Sequence, residues 1–173
     1  MTRTELIQFL RRYKLAVIAT LRAPGTSTPG AETLRTAALG AALPAASSRS
    51  TPSLAAAPQA AVVGFAVSDQ LELVFDTLES TRKYGNLVAD PRVALVIGWD
   101  DAITAQIEGV ADVLEGAELA RLRDVYFGPY PDGRERLAWP GITHVRVRPT
   151  WVRVSDFTRD PPSIVELCGD PFV

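Results

Sequence analysis

The stretch from Leu71 to Gly109 decides the fold, and it reads LELVFDTLESTRKYGNLVADPRVALVIGWDDAITAQIEG. Its first apolar run predicts a strand that ends at Asp76-Thr77. A turn rich in hydroxyls and basic residues follows and opens a predicted helix over residues 81–88. Asp90-Pro91 ends this helix, because a residue that precedes proline disfavours the helical conformation.

Two further strands are predicted in the second half of the stretch. Residues 93–99 (VALVIGW) are apolar almost throughout, which predicts a strand covered on both faces. Residues 103–108 alternate apolar and polar side chains, which is typical of a strand with one buried face. Gly109 lets the chain bend, and residues 110–114 continue as a strand.

The turn before the predicted helix gathers Ser80, Thr81, Arg82 and Lys83. The first turn of a helix carries unpaired N–H groups and the positive end of the helix dipole, so hydroxyls and cations there can form a phosphate seat. The alternative is that Thr81 only caps the helix while the basic residues lie in water. The pattern alone leaves both interpretations open.

Composition predicts an ordinary globular protein. The chain has 173 residues, of which 47% are hydrophobic and 22% charged, with a net charge of −2, so we expect one domain over residues 1–173. The acidic balance argues against a nucleic-acid partner. No apolar run approaches the ~20 residues that a membrane span needs, and no signal peptide is recognisable. A single cysteine, Cys168, excludes an internal disulfide, and we expect a cytoplasmic protein.

The regions before the central stretch predict a helix, a strand and an insertion. Thr2 and Glu5 have the spacing of a capping box for a helix over residues 3–13. An apolar run over residues 15–21 predicts the first strand. Residues 22–58 are rich in Ala, Ser, Thr, Pro and Gly, and we interpret them as a mostly flexible insertion between the first two strands, either a lid or a tolerated loop.

The remaining segments complete a predicted antiparallel barrel. Residues 60–67 and 71–75 predict two strands joined by a short turn, and residues 117–126 predict a helix. A last strand over residues 143–155 contains Pro149, which indicates an edge or a bulge, and the tail from Asp156 is expected to be irregular. The predicted class is mainly β (α+β), with six antiparallel strands in a small barrel and flanking helices.

Two groups of residues carry open hypotheses. His144, the single histidine, could protonate a substrate, or it could be a surface or barrel-rim residue. Four aromatic residues at the end of the helix predicted over residues 117–126 and after it could line a substrate pocket near a subunit interface, or they could pack under a loop or at that interface; they are Tyr126, Phe127, Tyr130 and Trp139.

The order of these elements, with F-D-T-x-x-S-T-R-K followed by N-L, D-P-R-V and E-G, resembles the pyridoxamine 5′-phosphate oxidase-like flavin-binding split barrels. The resemblance covers roughly residues 5–154 apart from the insertion, and residues 75–93 are its most specific part. It implies a six-stranded split barrel that forms a homodimer, with one FMN in each of two grooves at the interface.

The resemblance also implies which residues hold the cofactor. Thr81, Arg82 and Lys83 match the phosphate-binding positions of the family, and the backbone of Val62 and Val63 matches the strand along the flavin ring. Gln106 replaces an arginine of the family, and the flavin-contacting glutamine itself falls on Thr104. The candidate cofactor-binding residues are Val62, Val63, Asp76, Thr77, Ser80, Thr81, Arg82, Lys83 and Gln106.

The chain departs from the oxidases proper at three places. Ala61 and Ala66 stand where those enzymes carry an arginine and a lysine, and Trp151 and Arg153 form no matching pyridoxal-phosphate motif. Oxidation of pyridoxine phosphate is therefore not expected. We expect an FMN-dependent oxidoreductase acting on an unnamed small molecule, and no side chain is assigned as a catalytic group. The alternatives are an F420-dependent reductase, a non-enzymatic flavin-binding or redox-sensing protein, or an apo-dimer; some relatives bind haem.

Overall fold

A mostly antiparallel β-sheet, curled into a half-barrel, forms the body of the protein in the computed structural model, which describes residues 1–22 and 57–168. The strands in this part follow the order β2-β1-β5-β6-β7-β4-β3, and β8 pairs with β7 off this path. The predicted fold class is confirmed. The elements are α1 (Arg3–Leu10), β1 (Leu15–Leu21), β2 (Pro58–Gly64), β3 (Ala66–Val67), β4 (Leu73–Leu78), α2 (Arg82–Ala89), β5 (Arg92–Ile97), β6 (Ile103–Val113), α3 (Gly116–Phe127), α4 (Gly133–Arg136), β7 (Ile142–Asp156) and β8 (Ser163–Cys168).

The long strand β7 makes the sheet fork. One edge of β7 pairs with β6 from Val145 to Asp156. The other edge pairs with β4 over its first half and with β8 over its second half. Because one strand serves two different neighbours along one edge, the sheet divides into two arms that curl toward each other.

A bulge bends the β6–β7 ladder at its middle. The register shifts between Glu108 and Gly109, and Gly109 faces Pro149. A Cβ atom added at Gly109 would lie 2.6 Å from the carbonyl oxygen of Arg148, so the backbones approach closely there. The predicted bend at Gly109 and the predicted bulge at Pro149 are confirmed.

The described residues form eight strands where six were predicted. The apolar run over residues 60–67 divides after Gly64, because the Phe65 N–H bonds to the Lys14 carbonyl and the chain turns to pair β3 with β4. The tail predicted to be irregular contains β8. Its alternation spans only six residues, and Leu167 packs against the core. Residues 23–56 of the predicted insertion lie outside the described residues.

Within the described residues, strand β5 is covered on one face, whereas a strand covered on both faces was predicted. Its side chains alternate between exposed and buried, and Val96 is 38% exposed. The register aligns Val96 with Val17 of β1, which in turn faces Val62 of β2. These side chains lie on the outer face of the sheet, where nothing in the described chain covers β5 and β2. The described residues therefore leave the second face of this apolar strand open.

The inner face of the sheet forms the main core with α1. Thr2 and Glu5 form the predicted capping box, and the helix places Leu6 and Leu10 fully inside. The helix ends at Leu10, three residues earlier than predicted. No helix in the described ranges is long and apolar enough to cross a membrane.

A second apolar cluster lies between α3 and the opposite face of β4. Tyr126 and Phe127 are buried there, and Tyr130 stacks on Tyr126 with ring centroids 4.9 Å apart. The packing interpretation is therefore confirmed for these three aromatics, whereas Trp139 is 52% exposed. His144 is 3% exposed, with its ring edge-on to Tyr126, so it does not lie at the surface or on the rim.

Replacing Gly109 by alanine should destabilise the protein by about 1–3 kcal/mol, because the new methyl group would overpack the bulge against backbone. Gly85→Ala is the matched control. Gly85 has no atom within 4 Å of an added Cβ and lies inside α2, so alanine there should stabilise by about 0.5–1 kcal/mol. Chemical denaturation of both variants measures the difference, and equal stabilities would contradict the tight bulge.

Burial of His144 should make stability depend on pH. Burial lowers the pKa of His144, and Asp76 only partly opposes this shift. The folded state therefore holds the imidazole neutral, and its contribution to stability is present above about pH 6.5 and is lost as the pH falls toward the lower folded pKa. Denaturation midpoints of the wild type should fall more steeply between about pH 7 and 5 than those of His144→Phe. Parallel pH profiles would contradict this assignment.

Candidate functional site

The turn between β4 and α2 is built around the hydroxyl of Thr81. This oxygen caps α2 by accepting the Tyr84 N–H at 3.3 Å, and it donates to the Leu78 carbonyl at 2.8 Å. Its single hydrogen is thereby used, so the 3.1 Å contact with Thr77 must be a bond that Thr77 donates. The Thr81 hydroxyl is saturated and shapes the turn; it has no hydrogen left for a ligand.

The basic side chains that follow have a different environment. Arg82 is exposed, whereas Lys83 is partly buried with its Nζ 5.2 Å from the centre of the Phe75 ring. Within the described residues, neither cation forms an ion pair. Burial lowers the pKa of Lys83, and Asp76 opposes that shift. The fold thus places two uncompensated cations at the start of a helix.

Both cations line a cavity of about 240 Å³ beside β2. The cavity is large enough for a phosphate group, and a ligand as long as FMN has to extend out of it along the sheet. Its walls come from β1, β2 and the first turn of α2, and they are formed by Ile18, Thr20, Gln59, Ala60, Ala61, Thr81, Arg82 and Lys83.

The buried amide of Asn86 joins α2 to β1 and β2 beside the cavity. Asn86 is 2% exposed, and its Nδ2 donates to the Thr20 hydroxyl at 2.9 Å and to the Gln59 Oε1 at 2.8 Å. Thr20 and Gln59 are cavity residues that the sequence reasoning missed. The signal was Asn86 itself, a polar residue on the buried side of α2, whereas Val88 two residues later is 63% exposed.

Of the other predicted residues on the sheet, one is buried in the core and two lie on the outer face. Val63 is buried in the core, and Val62 points outward with 62% of its surface exposed. Gln106 lies on the same outer face as Val62, because the register connects them through Val96 and Val17. Three strand spacings of about 4.8 Å separate the two residues, so Gln106 lies some distance from β2.

Asp76 and Ser80 lie outside the cavity walls. Asp76 alternates with Phe75 and Thr77 along β4, so its carboxylate faces α3. There it accepts a hydrogen bond from the Tyr126 hydroxyl at 2.8 Å and pairs with Arg136 at 2.7 Å. These partners satisfy the carboxylate within the fold. Ser80 is exposed at the turn.

Structural comparison finds relatives that share this fold. A heme-binding protein from Mycobacterium smegmatis is 18% identical with a TM-score of 0.68. The match covers 99% of this chain and 60% of that protein, so the chain spans less than two thirds of its length. A pyridoxamine 5′-phosphate oxidase-related, FMN-binding protein from Nostoc punctiforme is 10% identical with a TM-score of 0.61, covering 96% and 88% of the two chains. General Stress Protein 26 from Bacillus anthracis is 16% identical with a TM-score of 0.58, covering 96% and 100%.

Sequence comparison identifies the family. No curated protein matches the chain significantly in sequence. The profile of the pyridoxamine 5′-phosphate oxidase family, in contrast, matches residues 2–156, which is most of the chain and includes the whole turn and cavity. The chain therefore belongs to the pyridoxamine 5′-phosphate oxidase family.

Proposed function

We propose that this protein is an FMN-dependent oxidoreductase that holds the phosphate of its cofactor at the start of α2. One observation carries the proposal: Arg82 and Lys83 face a phosphate-sized cavity without a carboxylate partner in the described chain. A dianionic phosphate would supply the missing negative charge, and the first-turn N–H groups of α2 would add hydrogen bonds. The donor set fits a phosphate-bearing cofactor.

The protein's own residues bind and orient the cofactor in this proposal. Arg82 and Lys83 hold the phosphate, while Thr77 and Thr81 keep the turn in shape. The flavin ring would lie along β2 near Val62 and Val63, outside the small cavity. FMN, when bound, supplies the hydride chemistry, so the protein needs no nucleophilic side chain.

We further propose a homodimer that buries the outer face of β2, β1 and β5. Val62 and Val96 are exposed there, and Val17 lies between them, so the face presents a continuous apolar strip. A second copy placed on this strip would also enclose the ring region beside β2 and exclude water from it. The cofactor would then lie at the interface.

The substrate is a small molecule other than pyridoxine phosphate. Ala61 lines the cavity and Ala66 is buried, so neither replaces the charge of the arginine and lysine that the oxidases carry at these positions. These two alanines support the second candidate function, in which the protein binds flavin without catalysing a reaction, as a carrier or redox sensor. F420 is the alternative cofactor for the same phosphate seat. A cytoplasmic location is part of the proposal.

Histidine-ligated haem fits this chain poorly. The M. smegmatis neighbour binds heme, but the one histidine here is His144, which is 3% exposed and packed between aromatic rings. Haem ligation through this residue would require it to leave the core.

Titration of the purified protein with FMN, F420 and riboflavin tests the cofactor assignment. We expect saturable FMN binding, and weaker binding of riboflavin because it lacks the phosphate. If the protein binds F420 and neither of the other two ligands, the cofactor is F420. If it binds none of the three, the proposal is overturned. Turnover of reduced FMN with candidate electron acceptors would then separate an enzyme from a flavin carrier.

The double variant Arg82→Ala/Lys83→Ala should weaken FMN binding by ~2–5 kcal/mol, the cost of truncating close charge pairs. Riboflavin binding should stay the same, because that ligand has no phosphate to lose. Arg159→Ala removes an exposed cation at the β7–β8 turn and serves as the charge control. Isothermal titration calorimetry measures the FMN affinity of the wild type, the double variant and Arg159→Ala. An unchanged FMN affinity in the double variant would contradict the proposal that Arg82 and Lys83 hold the phosphate.

Val96→Asp should convert the proposed dimer to a monomer, because it would bury a carboxylate in the apolar strip without a partner. Val88→Asp is the matched control, since Val88 is an exposed valine on α2, away from the strip. Light scattering coupled to size exclusion reports the mass of each variant. A dimeric Val96→Asp protein would place the interface elsewhere.

A further inference from the structure

The hydrogen bonds of Asn86 fix the orientation of the Gln59 side chain. Asn86 Nδ2 has two hydrogens, and it uses one on the Thr20 hydroxyl and the other on Gln59 Oε1. Because Asn86 is buried in α2, this donor cannot turn away to water. The amide of Gln59 is therefore held with its oxygen toward Asn86.

The opposite end of the same amide is a hydrogen-bond donor that has no acceptor among the described residues. Within the described chain, no atom accepts a hydrogen bond from Gln59 Nε2. Gln59 lies at the wall of the cavity that Arg82 and Lys83 also line, and its side chain is only partly exposed. A donor left over at a cavity wall, next to two uncompensated cations, is suited to an anion.

The neighbouring residues leave room for this donor. Ala61 follows Gln59 by two residues on β2, so its one-carbon side chain points to the same face, and it also lines the cavity. A long side chain at Ala61 would occupy the space beside Gln59. Thr20, opposite Gln59 in the β1–β2 ladder, also contributes to the wall and anchors Asn86 from the other side.

We propose that Gln59 is a third phosphate-binding residue of this site and that Asn86 is its positioning residue. The inference rests on the proposed function, because it takes the phosphate of the cofactor as the anion. Gln59 would donate Nε2 to a phosphate oxygen that the two cations leave unbound. It adds a directional hydrogen bond without adding charge, so two cations still balance one dianion. The ligand class is a phosphate monoester.

Gln59→Glu tests the donor with little change in shape. The new carboxylate can still accept from Asn86 Nδ2, but it presents a negative oxygen to the cavity in place of the N–H group. FMN affinity should fall about tenfold or more, as expected when a hydrogen bond to a charged group is lost and a like charge is gained. Riboflavin affinity should remain that of the wild type. Gln70→Glu makes the same change at an exposed turn and should leave both affinities unaltered.

Asn86→Asp tests the positioning role. A carboxylate at residue 86 cannot donate, so Gln59 should turn its Nε2 toward it and present Oε1 to the cavity. The preference for FMN over riboflavin should then decrease, while thermal unfolding reports whether this buried variant still folds. Because Asn86 is fully buried, the decision rests on Gln59→Glu, which changes a partly exposed residue.

The outcomes separate this inference from the proposed function. If the wild type binds FMN more tightly than riboflavin and Gln59→Glu binds FMN equally well, the role of Gln59 is overturned while the phosphate seat stands. If Gln59→Glu weakens FMN and riboflavin equally, the residue does not act on the phosphate and the inference is also overturned. If the wild type does not prefer FMN to riboflavin, the proposed function fails first.

Discussion

The antiparallel pairing of β6 with β7 through the bulge at Gly109 is the constraint on which the rest of the structure depends. It bends the longest ladder of the sheet at its middle, where a side chain at Gly109 would collide with the backbone of β7. The bend lets β7 pair with β4 along one half and with β8 along the other. β4 is thereby held against the barrel interior, and its end positions the turn that starts α2.

Within the described residues, the charged groups beneath α3 have ion-pair partners, whereas the two cations of the candidate site have none. The carboxylates beneath α3 are fully engaged: Glu72 pairs with Arg121 and Arg146, and Asp76 with Arg136. Pairing of this kind is what burial of charge requires. The cations of the α2 turn have no such partner in the described chain, although burial lowers the pKa of Lys83. A partly buried cation without an ion-pair partner lowers the stability of the unliganded protein. The same cation strengthens the binding of an anion.

Sequence reasoning succeeded where the pattern is local. The capping box of α1, the start of α2 at Thr81 and the bend at Gly109 each follow from residues within a few positions of one another, and the structure has all three. It did not predict β8 or the outer face of β5 that the described residues leave open, because pairing and burial depend on which strand or chain lies opposite. It also missed Gln59, which lines the cavity because β2 lies beside α2 and which bonds to Asn86, 27 residues away.

The sequence by itself determined the family, the element order and the identity of the basic turn, since these depend on residue types and their spacing. Only the tertiary structure decided which members of that turn face a ligand. It directed Asp76 to Tyr126 and Arg136, and it left Arg82 and Lys83 at a cavity. The physical reason is that a polar group's role depends on the partners that folding brings within hydrogen-bonding distance, and those partners come from distant strands and helices.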